Sequence, residues 1–177
     1  MPAKPFIDAL NEQIGREFGA AHQYLAVALY YDNQTLPQLA GFFYQQSREE
    51  RGHALMMAQY LLDSEVEPEI PSIGAPRGGF ADIVEPVRLA LEQERAVTDQ
   101  ISALVAIARD ENDFVSEQFM QWFLKEQVEE VATMSSLLEV TERSRDRPMD
   151  VEQYIAREGA RPVGEDPTAP GVAGRTP

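Results

Sequence analysis

Glu17, Glu50, His53, Glu94, Gln127 and Glu130 carry carboxylate, imidazole or amide groups, yet they fall on stripes otherwise made of hydrophobes. Written as seven-residue repeats, one stripe runs Leu10, Glu17, Tyr24, Tyr31 beside Ile7, Ile14, Ala21, Ala28. A second pairs Leu39, Gln46, His53, Tyr60 with Phe43, Glu50, Met57. A third places Glu94 between Val87 and Ile101, and a fourth sets Gln127 between Met120 and Met134 and Glu130 between Phe123 and Leu137. Depth agrees as well as direction. From Glu17 to a turn near residue 34 is 17 positions, and Glu50 and His53 lie 16 and 19 beyond it; Glu94, a turn near residue 111, Gln127 and Glu130 repeat those spacings.

Burying isolated carboxylates costs several kcal/mol each unless they are protonated or paired. No Lys or Arg stands on these stripes at that level. A multivalent cation is the simplest compensation; a protonated, hydrogen-bonded network is the alternative. Hard oxygen donors with one imidazole suit Fe(II), Mn(II) or Zn(II), and four carboxylates exceed what one divalent ion needs, so a pair of ions is implied.

Helices must carry these groups. Apolar periodicity predicts a first helix over about residues 5–33 and a second over 37–63, with Thr35 available to cap it. A third is expected over 81–109, with Asp82 as N-cap, and a fourth runs to about residue 143. Short turns make each pair an antiparallel hairpin. The Pro- and Gly-bearing stretch 64–80 is expected to be extended, and at about 3.3 Å per residue it is long enough to span the bundle as a single crossover. A short fifth helix is expected over 148–158, ended by Gly159, and residues 159–177 read as a flexible C-terminal tail after a bundle domain at 1–158. The fold class is all-α: a four-helix bundle with one long crossover and a short fifth helix.

Composition narrows the function. The absence of cysteine excludes thiolate metal sites, iron–sulfur clusters and disulfides. A formal charge of −15 argues against a nucleic-acid partner and is compatible with drawing in cations. No run of hydrophobes suggests a membrane span or a signal peptide, so a cytoplasmic location is expected.

The segments Arg48-Glu49-Glu50-Arg51-Gly52-His53-Ala54 and Gln118-Phe119-Met120-Gln121-Trp122-Phe123-Leu124-Lys125-Glu126-Gln127 closely resemble prokaryotic non-haem ferritin of the actinobacterial type, and the similarity covers about residues 5–158. Glu50-Arg51-Gly52-His53 matches the Glu-x-x-His motif of ferritin-like di-metal bundles, whereas the second copy of that motif is replaced by Gln127-Val128-Glu129-Glu130. The resemblance implies a ferroxidase for iron storage and detoxification, with Fe(II) oxidised by O2 or H2O2 at a buried di-iron site and ferric oxide deposited inside a shell of 24 identical subunits. It implies that Glu17 and His53 bind the first iron, Glu50 bridges, and Glu94 and Glu130 bind the second, with Gln127 hydrogen-bonding at the site. Tyr24 matches a tyrosine that can supply an electron; its alternative is an ordinary buried tyrosine. Glu49, Glu126 and Glu129 match a third iron position, with a solvated acidic face as the alternative.

Departures narrow the resemblance. Arg51 and Glu130 stand where haem-binding relatives carry the haem-ligating Met and the second motif's His, so no haem is expected. Asp110, Asp113 and Glu117 match positions near threefold pores, although Asp113 could equally cap a helix; His22 reads as a surface or interface residue. Two rival readings share the bundle: a rubrerythrin-like peroxidase that needs no shell, and an acidic scaffold that oxidises nothing. A reductant for iron release is a further partner that the family implies.

Overall fold

The computed structural model describes residues 1–158 and 166–174. Its described helices are α1 (Lys4–Asn33), α2 (Pro37–Asp63), α3 (Glu85–Asp110), α4 (Phe114–Arg143) and α5 (Pro148–Glu158), and no strand is present among the described residues. The helices α1 with α2, and α3 with α4, form the two closely packed hairpins that their short turns dictate.

The C-terminal ends of α1, α2 and α3 share one device. Thr35, Glu65 and Asn112 each adopt a left-handed backbone, with φ of 61°, 60° and 56°, just after α1, α2 and α3. The following amide then reaches back to close the helix: Leu36 N to Tyr31 O at 3.0 Å, Val66 N to Leu61 O at 2.9 Å, and Asp113 N to Ala108 O at 2.8 Å. Thr35 is therefore the terminator of α1, and not the expected cap of α2, whose N-cap Leu36 offers no side-chain acceptor.

That capping role falls to Glu152 on α5. Its carboxylate is buried and accepts the backbone N–H of Gln38 at 2.8 Å and of Leu39 at 2.9 Å, two donors that a helix start leaves unsatisfied. Val151 and Ile155 bury on the same side, so α5 is held by apolar contact and by charge at the α2 dipole's positive end.

Between the hairpins the chain climbs along α1. The backbone N of Glu69 meets Asn11 Oδ1 at 2.9 Å, Arg77 exchanges two hydrogen bonds with Gln23 at 2.7 and 2.8 Å, and Tyr31 donates to Ile83 O at 2.7 Å. Gly15 makes the crossing possible, because a Cβ there would lie 2.3 Å from Pro71 Cγ. The crossover continues past residue 80: α3 begins at Glu85 and not at 81, because Asp82 accepts the N–H groups of Val84 and Glu85 at 2.9 and 3.0 Å and holds a turn ahead of the helix. The chain thus enters α3 at the α1 C-terminal end, antiparallel to α1.

Hydrophobic packing divides into two clusters. One gathers Tyr24, Val27, Tyr31, Leu39, Phe43 and Met134; the other gathers Phe6, Leu10, Ile14, Met57, Ile101 and Phe123. The gap between them is the level of Glu17, Glu50, Glu94 and Gln127.

The expected helix stop at Gly159 lies outside the described residues, as do 159–165 and 175–177 of the expected tail. Residues 166–174 lie against α2 and α4: Asp166 accepts from Trp122 Nε1 at 3.1 Å and Lys125 Nζ at 3.3 Å, and Ala173 N donates to Leu55 O at 3.2 Å.

Candidate metal centre

Each long helix delivers its polar group to the dividing layer. Glu17, Glu50 and Glu94 are each 1% exposed, Gln127 is 3% exposed and His53 is 6% exposed. The α1–α2 hairpin is pinned near this level by the Ser47 hydroxyl, which donates to Ala21 O at 2.7 Å.

Ligand-type atoms of Glu17, Glu50 and His53 all lie within 4.8 Å of one another. His53 Nδ1 and Glu50 Oε2 are 3.4 Å apart, a direct consequence of their i, i+3 spacing on α2. The His53 ring stands edge-on to Trp122 and Phe123, each at 5.7 Å between centroids, so α4 supplies an aromatic wall that fixes its plane.

The α3–α4 side is braced differently. The Tyr24 hydroxyl donates to Glu94 Oε1. Thr98 Oγ1 lies 3.0 Å from Gln127 Oε1 and 2.8 Å from Glu94 O, so the Gln127 oxygen faces that hydroxyl, and the Gln127 amide offsets a small part of the burial of Glu94. Beyond Glu94, Glu130 keeps part of its surface open and shares the neighbourhood of Glu49 and Gln46. Gln45 donates to Glu49 at 3.0 Å, and Gln46 donates to its other oxygen.

Electrostatics at this layer are one-sided. Burial, then the facing Glu50 carboxylate, drives the Glu17 carboxyl well above the usual range. Burial, then Glu94, does the same to Glu50. Burial raises Glu94 against the opposing pull of the Tyr24 hydrogen bond. Burial, with Glu94 and Glu49 nearby, pushes Glu130 up to about 8. Burial and then the Glu94 charge raise the Tyr24 phenol. These are acids that release protons reluctantly while the site is empty of positive charge.

Four carboxylate oxygens expose the deficit. Glu17 Oε2, both oxygens of Glu50 and Glu94 Oε2 are buried with no hydrogen-bond partner among the described residues. Carboxylates only accept, so Glu17 and Glu50 cannot satisfy each other unless one is protonated. Divalent cations would satisfy these oxygens, and the mixed carboxylate–imidazole set is hard enough for Fe(II).

The structure therefore gathers Glu17, Glu50 and His53 in one cluster, with Glu94, Glu130, Tyr24 and Gln127 close enough to act on it electrostatically or by hydrogen bonds. Glu49 and Glu126 are half-buried at its margin, and Glu129 is exposed. Asp113 caps α4, accepting Ser116 N at 3.1 Å and also Ala3 N at 2.9 Å, while Glu117 pairs with Arg109 at 2.5 Å. His22 is exposed, apart from the cluster.

Sequence patterning did not single out Gln13, Thr98 or Trp122 as members of this site. Gln13 precedes Glu17 by one helical turn, Thr98 follows Glu94 by one, and Trp122 flanks Phe123; amides and hydroxyls one turn from an inward carboxylate are the signal that would have found the first two.

The profile of the ferritin-like domain family matches residues 7–144. The chain is similar to "Ferritin BfrB" of Mycolicibacterium smegmatis, 51% identical over 165 residues, which span 93% of this chain and 91% of the relative. It is 35% identical to "Bacterial non-heme ferritin" of Staphylococcus aureus over 166 residues, 94% of this chain and all of that protein. Among solved structures, an open pore ferritin from Archaeoglobus fulgidus superposes with a TM-score of 0.85 at 26% identity, covering 90% of this chain and 98% of its own.

Proposed function

The chain belongs to the ferritin family, and from that premise we propose that it is an iron-storage protein whose subunit oxidises Fe(II) and whose assembly holds the ferric product. Iron is both substrate and cargo. Glu17 and His53 hold the first Fe(II), Glu94 and Glu130 hold the second, and Glu50 is shared between them. The four unpartnered carboxylate oxygens carry this reading, because cations compensate the cost of burying them.

Two Fe(II) give up one electron each, and O2 takes both with two protons to become H2O2; when H2O2 is the oxidant, the two electrons and two protons yield water. The protein contributes orientation and charge neutralisation. As iron enters, Glu130 and its neighbours give up their protons, and the anionic cluster stabilises Fe(III) more than Fe(II). Gln127 donates to Glu94 and holds its orientation. The Tyr24 phenol, bonded to Glu94, stands where it can lend an electron to the oxidant. Glu49, Glu126 and Glu129 form an acidic margin for a third iron on its way out of the pair.

The bundle at 1–158 is the functional domain, and 159–177 is an appended tail. Assembly of identical copies is supported by Leu29, Ile70, Phe114, Val115 and Met149, each more than half exposed on a lone subunit, and the family resemblance sets the expected number at 24. No helix among the described residues is long and apolar enough to cross a membrane, consistent with a cytoplasmic setting where a reductant releases the stored iron. Neither haem nor nucleic acid has a role in this reading.

Glu50→Ala tests the centre, since it removes the shared ligand and leaves the subunit contacts untouched. The rapid phase of aerobic Fe(II) oxidation should disappear while the assembly still elutes at about 475 kDa, the mass of 24 chains of 19.8 kDa. Rapid oxidation in that variant would overturn the assignment, and a wild-type dimer would favour the peroxidase reading.

A further inference from the structure

Glu94 has a donor from another helix, the Tyr24 hydroxyl. Glu17 has one, and it lies on its own helix: Gln13 Nε2 donates to Glu17 Oε1 at 2.8 Å. Gln13 is fully buried, at 0% exposure, one turn below Glu17 and among Leu10 and Ile14. An apolar residue would fill that position without the cost of burying an amide. The amide's orientation is set from outside the core. Arg16 Nη1 donates to Gln13 Oε1 at 3.2 Å, and Arg16 Nη2 reaches Glu12 at 3.1 Å on the exposed side of α1. A guanidinium only donates, so the Gln13 oxygen must face Arg16, and the amide nitrogen is left to face Glu17.

We infer that Gln13 is a positioning residue for the first metal position: it holds Glu17 by Oε1 so that Oε2 stays turned toward Glu50 and His53, and Arg16 fixes the sense of the amide. Glu17 Oε2 is one of the buried oxygens without a partner, which is the consequence expected when one oxygen is tethered and the other is reserved. Glu12, Arg16, Gln13 and Glu17 thus form a chain from the outer surface of α1 to the centre, with Arg16 half exposed at its outer end. Because Glu94 is braced by Tyr24 and has no contact with Gln13, loss of Gln13 should loosen one half of the centre and spare the other.

This inference rests on the metal-centre reading, so its test must separate the two. Metal-free assembled protein is titrated anaerobically with Co(II), which resists oxidation by the protein and reports occupancy by its visible absorption. Wild type should show two binding phases, and the phase lost in Glu17→Ala identifies the Glu17 half. Gln13→Met, close in volume, should weaken that phase about tenfold, the lower end of the range for groups that orient metal ligands, and move the other phase by less than about twofold. Arg16→Met, at a half-exposed position that does not threaten folding, should weaken the same phase about threefold. Equal weakening of both phases would mark Gln13 as a packing residue and overturn the inference, as would an unmoved Glu17 phase. Wild-type protein that binds no Co(II) would instead refute the metal centre itself.

Discussion

Replacing Glu130 by glutamine should stabilise the metal-free protein, and by a margin that grows with pH. Burial and the nearby Glu94 and Glu49 charges push the Glu130 carboxyl up to about 8, whereas an unfolded glutamate titrates near 4.5. The folded protein therefore binds more protons than the unfolded chain between those values, and stability is lost as pH rises from about 4.5, levelling off above about 8. Taken alone, the carboxyl costs about 1 kcal/mol at pH 5, about 3 at pH 7 and about 5 at pH 9. The Glu94 carboxyl is itself raised, so part of the repulsion counted against Glu130 is relieved by a proton held on Glu94, which removes roughly half of that benefit and leaves about 1–2 kcal/mol at pH 7 and about 2–3 at pH 9. For a chain of this size each kcal/mol moves the melting temperature by about 2–4 °C. Calorimetry of chelator-treated wild type and Glu130→Gln at pH 5, 7 and 9 should show curves nearly coincident at pH 5 and about 4–12 °C apart at pH 9. A gap that does not widen with pH, or a variant less stable throughout, would refute the electrostatic account of the layer.

The same buried acids should release protons when a cation arrives. Adding Co(II) to unbuffered metal-free protein at pH 7 should liberate about one proton from Glu130 alone and more from Glu17 and Glu50, falling as the starting pH passes about 8; a pH-stat measures it, and no release would mean that the carboxylates were already ionised. Glu152→Ala removes an acceptor shared by the Gln38 and Leu39 amides and should cost about 1–3 kcal/mol, with proteolysis at the α4–α5 junction rising before the bundle melts. Thr35→Gly places glycine where a β-branched residue sits at φ 61° and should raise stability by about 1 kcal/mol in chemical denaturation; a loss would mean that the threonine side chain compensates for its backbone.

Much of the fold was legible because the turns are short and the helices long. Periodicity placed α1 and α4, and proline and glycine punctuation helped place α2 and α5, each to within a residue or two. It overshot α3 by four residues at the start, since Asp82 caps a turn and the helix proper waits until Glu85. It also misread Thr35: threonine favours caps on average, but here the demand of the α1 C-terminus for a left-handed residue prevailed. A stretch of the expected tail, 166–174, lies along α2 and α4 through Asp166, Trp122 and Ala173, contacts between residues far apart in sequence that no local pattern announces.

By itself the sequence determined that Glu17, Glu50, His53, Glu94, Gln127 and Glu130 face inward at one depth, because helical geometry and hairpin length convert spacing into direction and level. Only the tertiary structure decided which atoms meet. It set Glu17, Glu50 and His53 within one cluster, turned the Gln127 amide by the Thr98 hydroxyl, brought Tyr24 onto Glu94 and left four carboxylate oxygens without partners. Those outcomes depend on rotamers and on the offset between hairpins. Ångström-scale packing settles both, whereas a seven-residue repeat resolves a side chain only to a face and a turn.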